Sequence, residues 1–175
     1  QLEAAPSKGK KLIKRAITRL ITPGTILEEG MLRAKQNNWL ACVLLETNST
    51  PGIINWSLAK IDVSTGEFIV QKGQGSSNLR QELIKLKAAE VISENNSISN
   101  KSWHEGLIEI TEFNKTSFSI LEANTTIKNH YCLNNINGLV IHADSLSTRN
   151  VGGLIAYLNK THPSIGNNSN NEIKT

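Results

Sequence analysis

The seven-residue run Trp39-Leu40-Ala41-Cys42-Val43-Leu44-Leu45 limits what this chain can become more than any other stretch. It is continuously apolar and too short for a helix core. It therefore suits a strand buried on both faces, which requires a layer packed against each side of a sheet. Asn48 to Gly52 follows with loop chemistry. Trp56, Leu58, Lys60 and Asp62 then alternate with Ser57, Ala59 and Ile61 as a second strand. Ser64-Thr65-Gly66 turns it, and Glu67-Phe68-Ile69-Val70 returns as a hairpin partner. Lys72 to Ser77 reads as a Gly/Ser loop. Asn78 and Gln81 have the spacing of a helix start, with Leu79, Leu83 and Leu86 as its apolar side. Ala89 to Ser93 is a strand after that helix, so a β–α–β crossover with parallel strands is expected. Leu107 to Ile110 is a further short strand.

Ser119 and Glu122 have capping-box spacing, and Ile120, Leu121, Ile127 and Tyr131 mark the helix that follows. A last helix begins near Ser147 and carries the stripe Val151, Leu154, Ile155, Leu158, until Pro163 stops it. Gly152-Gly153 inside it costs about 1 kcal/mol per Gly against Ala, so a close helix contact is the expected reason for the pair. The order β-β-β-α-β-β-α-α gives the α/β class: a mixed sheet of about five strands with flanking helices.

Of 175 residues, 38% are hydrophobic and 19% charged, with a formal charge of +4. The charge is uneven: through Lys35, eight basic residues face three acidic ones, so the positive character belongs to the leading segment. Lys10, Lys14 and Arg15 are the candidate contacts to a nucleic-acid backbone there. Thr22-Pro23-Gly24-Thr25 breaks the chain and marks a domain boundary, leaving 1–24 as a leading piece, 25–162 as the main domain and 163–175 as an unstructured tail. The chain opens on Gln1 with no visible leader, which suggests a fragment. No apolar run approaches the ~18 residues of a membrane span. Cys42 and Cys132 are far apart and read as buried thiols in a reducing compartment.

Catalytic signals are weak. There is no phosphate-binding Gly-rich loop, and Gly73-Gln74-Gly75 lacks the continuation of a dinucleotide turn. The histidines are scattered. His142 lies two residues from Asp144, but no nucleophile motif accompanies them. Asp62 and Glu67 flank the hairpin turn. As a pair they could hold Mg²⁺ in a ribonuclease H-like nuclease, whereas the simpler reading has Asp62 capping its own turn. A nuclease of that kind also needs a carboxylate inside the first strand, and the run from Trp39 to Leu45 contains none.

Several stretches taken together resemble one family. They are Arg15 to Thr25 with its Arg-x-x-Thr-Pro-Gly-Thr end, Glu28-Glu29-Gly30-Met31-Leu32, Asn37 to Ala41, Asp62-Val63-Ser64-Thr65-Gly66-Glu67-Phe68, Ala88 to Ile92, and Val151-Gly152-Gly153-Leu154-Ile155-Ala156-Tyr157-Leu158. Their order and spacing are similar to the bacterial MutS family of DNA mismatch-repair proteins. The resemblance implies that 1–24 is the end of the mismatch-binding domain and that 25–162 is the connector domain, with a ribonuclease H-like α/β fold. It also implies strand character near Thr18 to Ile21, where the residues alone suggest a helical stripe from Leu12 to Leu20.

The resemblance further implies a non-enzymatic segment with no catalytic, cofactor or metal residues of its own. The parent protein would bind mismatched DNA and ATP with Mg, form a homodimer, and work in the cytoplasm at the nucleoid. The connector would join the other MutS domains and present a surface to MutL. For that surface the helix after Phe118 is the candidate, with Thr125, Thr126 and Asn129 facing out opposite Ile120 and Ile127. The alternatives are the Mg-dependent nuclease using Asp62 and Glu67, and a generic α/β interaction module.

Overall fold

The computed structural model describes residues 37–47, 49, 51–94, 103–163 and 173–174. The strands are β1 (Trp39–Thr47), β2 (Ile54–Asp62), β3 (Phe68–Gln74), β4 (Glu90–Glu94), β5 (Ile110–Phe113) and the two-residue β6 (Ile173–Lys174). The helices are α1 (Ser76–Leu86), α2 (Ile120–Tyr131) and α3 (Ser145–Thr161). The sheet order is β5-β4-β1-β2-β3-β6. β1 lies inside it, antiparallel to β2 and parallel to β4.

That position explains the apolar run. Leu40, Cys42 and Leu44 point to one face, where they meet Val151, Leu154 and Ile155 of α3 and Ile127 of α2 in one core. Ala41, Val43 and Leu45 point to the other, into a second core with Leu79 and Leu83 of α1 and with Trp103. Alternation along one strand thus feeds two cores, so both faces must be apolar. The expected α/β architecture with a mixed sheet and flanking helices is present.

Several boundaries differ from expectation. β3 continues through Gln74 rather than loosening at Lys72, because Lys72, Gly73 and Gln74 pair with Ser57, Trp56 and Asn55. Gly73 is needed there: a Cβ would run into the Trp56 indole. α1 starts at Ser76, since Gly75 at φ 83 turns the chain straight from strand to helix. Asn78 does not start the helix; its amide donates to the Gln74 carbonyl at 2.8 Å. β5 begins at Ile110, not Leu107, because the Leu107 and Ile108 amides both donate to the His104 carbonyl in a turn. α3 begins two residues before Ser147, with Asp144 as N-cap. Within the stretch expected to be an unstructured tail, Ile173–Lys174 pairs with Phe68–Ile69 as a sixth, edge strand.

Cys42 is buried and Cys132 is exposed, so the expectation of two buried thiols holds for the first only. Cys132 sits at the C-cap of α2 in the left-handed conformation, past the stripe that packs on the core. Burial pushes the Cys42 thiol well above its ordinary range, with Glu94 adding to the effect. A thiol-specific reagent is therefore expected to label Cys132 quickly and Cys42 only on unfolding. Mass spectrometry of the native and denatured chain checks this. A raised thiol pKa in the fold also fixes a pH dependence: the Cys42 contribution to stability is complete at neutral pH and is lost as alkaline pH ionises the unfolded thiol.

Candidate functional site

α2 is mounted by one face and open on the other. Ser119 accepts from the Glu122 amide at 3.3 Å and starts the helix, and Glu122 adds negative charge to its first turn. Ala123, Ile127 and His130 form the buried face. The mount is close: a Cβ on Gly152 of α3 would overlap the Ala123 backbone, and one on Gly153 would overlap the Phe118 ring. The Gly-Gly pair thus has the packing reason that its helical cost requires.

The N-terminal side of α2 is tied down by Arg149 of α3. Its Nε donates to the Phe118 carbonyl at 2.8 Å. The same guanidinium faces Glu46 at the end of β1 (3.7 Å) and Glu94 at the end of β4 (3.8 Å). One side chain therefore couples the entry of α2 to the carboxyl ends of two adjacent parallel strands. No pattern in the sequence marks Arg149; only the pairing of β1 with β4 puts its two acids side by side.

Of the three candidate partner residues, Thr125 and Asn129 are exposed and one turn apart, while Thr126 is half-buried. The Thr125 hydroxyl donates back to the Leu121 carbonyl at 3.0 Å. Ile127 is buried, but Ile120 is not its companion. Ile120 is 45% exposed, and Leu121 is 73% exposed. The inward stripe runs through Ala123 instead, because only a small residue fits against Gly152. Leu121, Thr125 and Asn129 consequently share one outward stripe at i, i+4, i+8.

Of the acidic pair at the hairpin, Asp62 caps the turn. Asp62 is fully buried, and its Oδ1 accepts from the Ser64 amide (2.9 Å), the Ser64 hydroxyl (2.6 Å) and the Asn38 amide (3.3 Å). That is the turn-capping reading of Asp62. Among the described residues no group of three or more His, Cys, Asp and Glu could hold a metal ion. Asp144 accepts from the Ser147 hydroxyl at 2.5 Å. Among the described residues no helix is long and apolar enough to cross a membrane.

The family model for MutS domain II matches residues 38–171, which takes in all three helices and the first five strands described above. The chain belongs to the MutS family. It is 79% identical over all its 175 residues to the DNA mismatch repair protein MutS of Prochlorococcus marinus strain NATL2A. It is 49% identical over 164 residues to that of Prochlorococcus marinus strain SARG, and 45% identical over 163 residues to that of Parasynechococcus marenigrum. Those two alignments cover 93% of this chain. The chain spans about one fifth of the length of these MutS relatives (19%, 18% and 18%). Lys10, Lys14, Arg15 and the boundary at 24–25 precede the stretch matched by MutS domain II and lie outside the described residues.

Proposed function

We propose that this segment is the connector of a MutS protein in DNA mismatch repair, relaying position between a DNA-reading domain and an ATPase core and offering α2 to MutL. The observation that carries the reading is the mounting of α2. One face is packed closely on α3 through Ala123 against Gly152, and Leu121, Thr125 and Asn129 form the outward stripe opposite it. A surface that reports domain position must be rigidly attached to the domain. On this reading mismatched DNA, ATP and Mg belong to the longer protein, which acts as a homodimer in the cytoplasm. The segment performs no chemistry of its own, and Lys10, Lys14 and Arg15 lie near the DNA backbone.

The test uses a full-length MutS protein carrying this domain. Thr125→Arg places a long charged side chain in the middle of the stripe. It is expected to weaken ATP-dependent MutL binding at least about tenfold while mismatch binding and ATP hydrolysis are retained. Surface plasmon resonance on immobilised mismatched duplex measures both binding steps, and phosphate release measures hydrolysis. Undiminished MutL binding would remove α2 from the interface.

A further inference from the structure

β3 is bonded along its whole length to β2 on one side, while on the other only the short β6 lies against it. The phase of the β2–β3 ladder is fixed at both ends. The Asp62 amide donates to the Glu67 carbonyl at 2.9 Å, and the Gly75 amide donates to the Ile54 carbonyl at 2.8 Å. Bonding pairs alternate in an antiparallel ladder, so Ile69, Gln71 and Gly73 spend their N–H and C=O groups on β2. Phe68, Val70, Lys72 and Gln74 turn theirs to the outer edge. β6 pairs with Phe68 and Ile69 only. The Gln74 carbonyl accepts from the Asn78 amide of α1. Among the described residues no strand lies alongside Lys72 on that edge.

An open, regular edge is a template for another strand, and proteins shorten, bulge, charge or cover such edges. β3 pairs with β2 in unbroken register, has no proline and carries one charged residue, Lys72. The remaining device is a cover, and β6 is the start of one. It runs parallel to β3, so a chain leaving Lys174 travels towards Gln74, along the uncovered stretch. Continued register puts Thr175 opposite Val70, and the next two positions of a longer chain opposite Gln71 and Lys72. The opposite edge of the sheet, β5, has no described strand aimed along it.

We propose that in a longer MutS protein the segment following Thr175 extends β6 along β3 past Lys72, and that this edge is the joint by which the following part of the protein holds the domain. The proposal rests on the reading of this chain as a connector and supplies the route of its relay. A strand bonded along β3 passes displacement through β2 to β1 and β4, because the four strands form one continuous ladder.

The test uses a full-length MutS protein carrying this domain, with Cys132→Ser and the other exposed cysteines replaced. Lys72→Cys is combined with a cysteine at the second position after Thr175, which shares its face of the sheet, or at the first, which points to the other face. Copper-phenanthroline oxidation is expected to close the first pair within one chain at least about tenfold faster than the second, since paired strands bring Cα atoms within disulfide range. Amide exchange by mass spectrometry needs no variant. The peptide covering β3 is expected to hold about two more slow amides in the full-length protein than in the 175-residue chain. Equal closure of the two pairs, cross-linking between chains instead of within one, or unchanged exchange overturns the proposal. Neither readout involves MutL, so the outcome for Thr125→Arg is separate.

Discussion

Gly152→Ala is expected to lower the stability of the domain by about 2 kcal/mol, although alanine is the better helix former. Two effects oppose each other. Replacing Gly within a helix gains about 1 kcal/mol from propensity. The new methyl, however, lands on the Cα and Cβ of Ala123, and backbone does not swing aside as a side-chain tip does. Overpacking of this kind costs about 1–3 kcal/mol and sometimes more, so the loss outweighs the gain. Gly152→Val adds two further carbons and is expected to unfold the α2–α3 contact. A urea midpoint shifted down by about 1 M in Gly152→Ala is the measurement. Ala123→Gly in the same chain removes the Cβ part of the overlap and leaves the Cα part. The double variant is therefore expected to be more stable than the sum of the two single losses. Additive losses would show that the helices are not in contact as described. Gly153→Ala is expected to be milder, because its neighbour is the Phe118 ring rather than backbone.

Asn150→Ala is expected to cost about 3 kcal/mol, more than the loss of an average buried hydrogen bond. Asn150 is fully buried, and its Nδ2 donates to the Cys42 carbonyl (3.0 Å), the Ser57 carbonyl (2.8 Å) and the Ser57 hydroxyl (3.1 Å). It is a staple from α3 across β1 and β2, placed over the middle of the sheet. Truncation removes the donor, leaves a void and strips the acceptors together. Asn150→Asp is expected to be worse still. It keeps the shape but turns a carboxylate towards the same oxygens, in a site without a cation among its partners. Thermal unfolding of the two variants gives the order. If Asp is tolerated better than Ala, the hydrogen bonds donated by Asn150 do not carry the stability assigned to them.

The parts of this fold that are legible in the sequence rest on short-range chemistry. Two-sided burial of β1 follows from one uninterrupted apolar run. The hairpin follows from Asp62 to Gly66, where Asp62 caps its own turn and Gly66 adopts φ 79. The start of α2 follows from Ser119 and Glu122. The Gly152-Gly153 pair announces a close contact by its cost alone. What local pattern misplaces involves a choice between faces or neighbours. It puts Ile120 inside and gives no weight to Ala123. The spacing of Ile120 and Ile127 is acceptable for a helix, and nothing local says that a glycine on another helix is waiting for a methyl-sized partner. The start of β5 is misplaced for a similar reason: Leu107 and Ile108 are apolar enough for a strand but spend their amides on the His104 carbonyl.

The interaction surfaces divide the same way. That the helix after Phe118 is capped, amphipathic and partly open can be read from residues within one turn of each other. Which of its residues face out is decided by α3, because a helix has several plausible apolar faces and only the neighbouring surface selects among them. Arg149 with Glu46 and Glu94, and Asn150 across two strands, have no signature in the chain. Their members are separated by up to 108 positions, the span from Cys42 to Asn150. Periodicity and turn chemistry act over a few residues and are written into the local order of side chains. The meeting of distant groups depends on which strands pair and how a helix is rotated against the sheet, and those are settled only when the whole core closes.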